Sequence, residues 1–220
     1  MKILKFIIAL IILPLCISFS KSVYDILILS INLNVFSLYE NLSFPIGFIL
    51  CVLLLSIIPK PIKTYVLAHE LTHALWALMM GSKIGKISIT RTGGHVEVSK
   101  TNFWITLAPY FFPFYTFLVI TVFYIFSFFY NINEHLYLWL GCIGFTWAFH
   151  FIFTIDMLKI KQPDITEHGK FFSYVIIYCT HLFFIGIWIV MIGSPRIIDF
   201  YNSFIIHTSY VYKFLFNIIQ

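Results

Sequence analysis

A His-Glu-x-x-His pattern inside an apolar stretch is the most chemically specific feature of this sequence. His69, Glu70 and His73 lie within residues 61–80, which are otherwise mostly apolar. On a helix, residues i and i+4 share one face, so both imidazoles can bind one zinc ion while the glutamate between them acts on a metal-bound water. The spacing predicts a metal-dependent hydrolase with Zn2+ as cofactor, His69 and His73 as ligands, and Glu70 as the catalytic base.

A polar packing cluster is the alternative interpretation of these three residues. A glutamate in the middle of a membrane is energetically unfavourable unless it is neutralised or paired. A divalent cation supplies that compensation, because it offsets the carboxylate charge and accepts two neutral imidazoles. We therefore favour the metal site.

A third metal ligand has to come from another part of the chain, because catalytic zinc usually has three protein ligands and one position for water. The candidates are Asp156, Asp164, His150, His168 and His95. A histidine inside a span often serves only helix–helix hydrogen bonding. Asp156 lies near the end of an apolar span and Asp164 just beyond it, and the residues alone leave both open.

The composition predicts a membrane protein. Of 220 residues, 60% are hydrophobic and only 10% are charged, whereas a soluble domain has about 25% charged residues. We expect an all-α polytopic membrane protein with about six to eight transmembrane helices and a small β-hairpin. The net charge of +5 fits loop lysines near an anionic leaflet. The basic residues form no dense stripe, which argues against nucleic acid as a partner.

Further spans follow from the apolar segments. We expect an uncleaved helix at residues 1–20, although a signal peptide fits the same pattern. The other predicted spans are 23–39, 44–58, 103–130, 136–158 and 171–192. Pro109 and Pro113 predict a bent helix or a re-entrant piece in the third of these. The tail, 197–220, is either an interfacial helix or a final crossing.

Residues 83–100 alternate between polar and apolar, unlike the mostly apolar stretch before them, and predict a β-hairpin at the membrane surface. Ile87 and Ile89, then Val96 and Val98, alternate with polar residues, and the turn signal Thr92-Gly93-Gly94 lies between them. A polar connector is the alternative.

Loop charge gives an orientation. The hairpin and the 159–170 loop carry lysine or arginine, whereas residues 131–135 carry none. The positive-inside rule places the first two on the cytoplasmic side. The metal helix then runs from outside to inside, with Lys60 and Lys63 outside and the site near the cytoplasmic surface.

The order of these features resembles the site-2 protease class of intramembrane zinc metalloproteases. The resemblance covers about residues 60–175: the metal helix, the Gly93-Gly94 hairpin, a Pro-containing span, and a later helix ending near an aspartate. In that class an aspartate of a Leu-Asp-Gly motif is the third ligand. This chain has no such motif, but Pro163-Asp164-Ile165 looks like the Gln-Pro-Asp segment of some small bacterial members.

The resemblance has several implications. It assigns the third-ligand role to Asp164 rather than Asp156. It implies cleavage of transmembrane segments in a bacterial inner membrane, with lipid and a membrane-protein substrate as partners and the oligomeric state left open. We expect domains at 1–58 (N-terminal helices), 59–175 (protease core) and 176–220 (C-terminal helix and tail). Thr72, Pro109 and Pro113 are expected to border a water-accessible cavity.

Substrate binding is predicted at the hairpin. An extended peptide can add to an exposed sheet edge, so we expect Val96 and Val98 to hold the unwound substrate strand.

Two rival functions remain open. Another membrane zinc hydrolase, such as a prenyl-protein or quality-control protease, would complete the site with Glu134 or His150. A transport or scaffold protein would need further ionisable residues along a path through the membrane. Beyond the metal helix, His150, Asp156 and His181 are the few such residues in the spans. The four cysteines form no Cys-x-x-Cys pair and are expected to be buried thiols.

Overall fold

The computed structural model describes residues 2–33, 38–90, 93–193 and 195–219. The helices and strands of this part of the chain are α1 (Lys2–Asn32), α2 (Leu38–Ile57), α3 (Ile62–Met79), β1 (Ile84–Ile89), β2 (Gly94–Val98), α4 (Phe103–Phe111), α5 (Phe114–Ser127), a 3-10 turn (Asn133–His135), α6 (Leu136–Lys159), α7 (Pro163–His168), α8 (Lys170–Ile192) and α9 (Ile197–Ile219). The protein is mainly helical with one small antiparallel sheet, as the sequence predicts.

Four of the described helices are long and apolar enough to cross a membrane: Lys2–Asn32, Tyr39–Ile57, Leu136–Lys159 and Lys170–Met191. The α4–α5 pair is a fifth candidate, bent by 76° at its break. The helices therefore fit a membrane protein, and the expected count of six to eight stays a prediction. The contacts divide the chain into two compact units, one of residues 36–162 and one of residues 1–35 with 163–220.

The first helix is longer than the sequence indicates. α1 continues without interruption through Pro14 and Asp25 for 31 residues, a length of about 46 Å. Residues 23–32 therefore extend the first helix instead of starting a second span. The rest of that predicted span includes residues 34–37, which lie outside the described part of the chain.

Within the 36–162 unit, α2 and α6 pack side by side and run in the same direction. A Cβ added at Gly47 would lie 2.0 Å from the carbonyl oxygen of Gly141, and one at Gly144 would lie 2.1 Å from that of Phe44. Phe44 and Phe48 both stack near Trp147. The glycines thus let the two backbones touch, as small residues do in membrane helix pairs.

The far ends of these helices are joined by an ion pair. Lys60, which precedes α3, bonds to Asp156 near the end of α6, and Lys159 Nζ lies 3.1 Å from the other carboxylate oxygen. The start of α3 and the end of α6 therefore lie on the same side. The expected orientation, with Lys60 outside and the 159–170 loop cytoplasmic, is therefore wrong. The charge of a loop does not show which other loop lies next to it in the structure.

Next, α4 and α5 form the predicted broken segment. α4 ends at Phe111 and α5 begins after Pro113. α5 then runs back along α6, with Thr116 Oγ1 3.1 Å from Thr146 Oγ1 and Phe123 against Trp139. Residues 128–130 consequently lie toward the start of α6, away from Lys159.

The hairpin follows α3 through Gly81, whose φ of +70° suits the left-handed turn that ends the helix. Ile87 pairs with Val96 and Ile89 with Gly94, with an irregularity between Ile84 and Ile87. The Thr90 amide donates to the Gly93 carbonyl oxygen at 2.9 Å. Gly93 thus closes the turn and Gly94 begins β2, while Thr92 of the predicted turn lies outside the described residues. The placement of this sheet at a membrane surface stays a prediction.

In the other unit, α1 packs against α8 and α9. Asp25, the carboxylate that interrupts α1, accepts a hydrogen bond from Ser203 Oγ at 2.8 Å and lies 2.7 Å from His207 Nε2. Cys16 and Cys179 approach to 3.4 Å as free thiols. The domain boundaries predicted at residues 58 and 175 stay predictions.

The α2–α6 contact can be tested with two matched substitutions. Gly47→Ala places a methyl group 2.0 Å from a backbone atom, whereas one at Gly141 comes no closer than 3.6 Å to Ser43. We expect Gly47→Ala to lower the free energy of unfolding by about 1–3 kcal/mol, the usual range for overpacking, and Gly141→Ala to change it little. Detergent-titrated unfolding of the purified protein measures both, and equal midpoints would contradict the contact.

Candidate metal site

Helix α3 carries the three residues of the His-Glu-x-x-His pattern. It spans Ile62–Met79 with Pro61 at its N-cap, where the missing N–H has no helical partner to lose. His69 lies seven residues after the helix start, about 10 Å along its axis. Glu70 is buried with 6% exposure, and the two histidines are half-buried. His69 therefore lies two helical turns from the start of α3, the end that is next to the Lys60–Asp156 ion pair.

Hydrogen bonds on the Nδ1 atoms orient both imidazoles. His73 Nδ1 lies 2.8 Å from the carbonyl oxygen of Ile105, so it carries a proton and donates it. His69 Nδ1 lies 3.1 Å from the Tyr65 hydroxyl. The carbonyl partner fixes the tautomer of His73 and leaves its Nε2 as the ligand atom. A hydroxyl can donate or accept, so Tyr65 orients the His69 ring without fixing its tautomer.

The two Nε2 atoms face each other. They are 3.2 Å apart, and two nitrogens bound to one tetrahedral zinc at about 2.05 Å would be separated by about 3.3 Å. The distance between these nitrogens therefore fits a shared metal ion.

Asp164, the predicted third ligand, lies in the unit of residues 1–35 and 163–220, whereas His69 and His73 lie in the other unit. The role of Asp164 stays a prediction, which the resemblance and not the spacing assigns.

The other candidate ligands are engaged elsewhere. Asp156 is bonded to Lys60 and Lys159. His168 Nδ1 is bonded to Lys5, and burial together with the Lys5 charge lowers the pKa of His168. His95 is exposed on β2 opposite Ser88.

A cavity adjoins His69. It lies between α3, the α4–α5 break and α6, and its lining residues include Thr72, Pro109, Tyr115 and His150. Thr72 and Pro109 were expected to border a cavity and do so, whereas Pro113 is not among the lining residues. His150, one of the candidate third ligands, lines the same cavity as His69.

Sequence reasoning missed two partners of the histidines. Tyr65 precedes His69 by four residues, so its place on the same helix face could have been read from the sequence. The Ile105 carbonyl oxygen could not, because it comes from α4 and has no side-chain signature.

Removing the Tyr65 hydroxyl tests the outer shell. Loss of an outer-shell partner typically lowers metal affinity about 10–100-fold, so we expect Tyr65→Phe to bind metal correspondingly more weakly while keeping its ring stacked on Phe153. The control is Tyr115→Phe, which loses a bond to the Thr64 carbonyl oxygen in the same cavity but touches no ligand. Competition with a chromogenic chelator measures both, and equal affinities in the two variants would contradict the role of Tyr65.

The chain has no significant match among protein-family models, curated proteins or solved structures. Two converging imidazoles on α3, each with a hydrogen-bond partner at Nδ1, are the feature of this chain that fits a metal ion.

Proposed function

We propose that this protein is an intramembrane zinc metalloprotease that hydrolyses peptide bonds in or near transmembrane segments. The observation that carries the proposal is the convergence of the His69 and His73 Nε2 atoms at 3.2 Å on a helix that also carries Glu70. The resemblance to the site-2 protease class supplies the substrate class.

Zinc is the metal that suits this ligand set best. Two imidazoles and one carboxylate are a common catalytic zinc set, which leaves a fourth position for water. Calcium and magnesium prefer oxygen ligands only. When bound, zinc would acidify that water and polarise the substrate carbonyl.

Glu70 is proposed as the general base. Its carboxylate accepts a proton from the attacking water, whose oxygen bonds to the peptide carbonyl carbon. The carbon–nitrogen bond then breaks, and Glu70 returns the proton to the leaving amine. Burial of Glu70 at 6% exposure strengthens its interactions, because nearby water screens them less. The cavity beside His69 and Thr72 is the proposed path for water.

The hairpin supports the proposed mode of substrate binding. In an antiparallel pair, residues alternate between those bonded to the partner strand and those that direct N–H and C=O outward. Thr90 bonds to Gly93, and the Ser99 amide bonds to the Lys83 carbonyl oxygen. By this alternation Gly94, Val96 and Val98 direct their backbone groups to the free edge of β2. A substrate strand would pair there. The Val96 side chain itself is buried, with 8% exposure, so the contribution of Val96 is its backbone.

A different zinc hydrolase is the rival with a specific observation behind it, because His150 lines the cavity next to His69. Such an enzyme would lose its metal on substitution of His150 and keep it when Asp164 is changed. The metal content of the two variants separates the proposals.

The first test measures zinc by elemental analysis in purified protein and cleavage of transmembrane peptides. We expect about one zinc per chain in the wild type. Glu70→Gln should keep zinc and lose cleavage, and Asp164→Ala should lose most of the zinc. Asp156→Ala and His150→Ala should retain it. Absence of zinc from wild-type protein prepared without chelators would exclude the enzyme.

The second test places proline on the free edge of β2. Val96→Pro and Val98→Pro each remove one outward N–H while sparing the bonds between β1 and β2. We expect cleavage to fall at least about tenfold, the effect of losing roughly one hydrogen bond, with zinc content unchanged. Val96→Ala and Val98→Ala keep the N–H and are the controls. Unchanged cleavage in both proline variants would remove the hairpin from substrate binding.

A further inference from the structure

The carboxylate of Glu70 is in direct contact with the hairpin backbone. A Cβ built on Gly94 would lie 2.3 Å from Glu70 Cγ, 2.6 Å from Oε1 and 2.7 Å from Cδ. All three separations are far below the closest approach of real side chains. A side chain at position 94 would therefore force the Glu70 side chain to shift.

The requirement at Gly94 is for space and not for backbone conformation. The glycines with positive φ in the described chain are Gly81 and Gly169. A Cβ added at the neighbouring Gly93 would meet nothing within 4 Å. Of these two adjacent glycines, Gly94 is therefore the one whose missing side chain leaves space for Glu70.

We propose that Gly94 is a positioning residue, which holds the Glu70 carboxylate in the orientation needed for proton transfer. The role rests on the proposed function of Glu70 as the base. A base must lie within hydrogen-bond reach of the proton that it abstracts, and a displacement of about 1 Å can reduce the rate by about 10²-fold. A glutamate has three side-chain torsions, and the strand above it removes part of this freedom.

The same residue links the base to the substrate. Gly94 is exposed, although it covers the buried Glu70, and its N–H and C=O point to the free edge of β2. A peptide paired along this edge would pass the point at which the hairpin touches Glu70. Substrate binding and base orientation therefore depend on the same stretch of backbone.

The test compares Gly94→Ala with Gly93→Ala in the full-length protein. We expect Gly94→Ala to keep its zinc and to lose about 10²-fold in kcat with KM within about threefold of the wild type. Gly93→Ala should behave as the wild type. A Gly94→Ala enzyme with wild-type kcat would overturn the proposal.

A second comparison keeps the proposal testable if Gly94→Ala folds poorly or the chain has no protease activity. Glu70→Asp shortens the side chain by one methylene and makes room for the added methyl group. We expect Gly94→Ala to lower the thermal unfolding midpoint strongly with Glu70 present and much less in the Glu70→Asp background, a non-additivity that reports direct contact. Equal shifts in both backgrounds would overturn the contact. Absence of zinc from the wild type would instead reject the proposed function and with it the catalytic role of Gly94, while the non-additivity would still report the contact with Glu70.

Discussion

A carboxylate buried inside an apolar helix is the constraint on which the rest of the structure depends. Glu70 has 6% exposure, and a charge in such a place requires partners or a cation nearby. The site is arranged accordingly. Two imidazoles present Nε2 to one point, their Nδ1 atoms are bonded to Tyr65 and Ile105, and the glycine strand closes over the carboxylate. Of these features, the Gly94 backbone contacts Glu70 directly.

The sequence predicts the helix, its end and the hairpin well, because each depends on local residues. The apolar run with His69 and His73, the left-handed Gly81 and the alternating strands all carry their signal within a few positions. Orientation was predicted wrongly, because it was inferred from loop charge. The ion pair of Lys60 with Asp156 joins residues 96 positions apart, and lysines lie in several loops, so charge counting could not identify which loops meet.

Only some of the residues of the site could be predicted from the sequence. His69, Glu70 and His73 follow from spacing, whereas Asp164 depends on a family resemblance and lies in the other compact unit. Tyr65 and Gly94 were missed for different reasons. Tyr65 shares a helix face with His69 and was overlooked. Gly94 reads as a turn residue, and its contact with Glu70 arises from tertiary packing alone.

Two hydrogen bonds between Ser82 and Lys100 join the two ends of the hairpin and give the sheet a fixed length. Buried Ser82 donates to the Lys100 carbonyl oxygen at 2.9 Å and accepts from the Lys100 amide at 3.0 Å. From Glu70 to the end of α3 at Met79 the helix rises about 14 Å, and from Gly94 to the end of β2 at Val98 the strand rises about 14 Å. Helix and strand are thus two sides of equal length that meet at both ends. One residue inserted in β2 would move Gly94 about 3.4 Å beyond Glu70. The length of the helix therefore limits the number of residues in the strand.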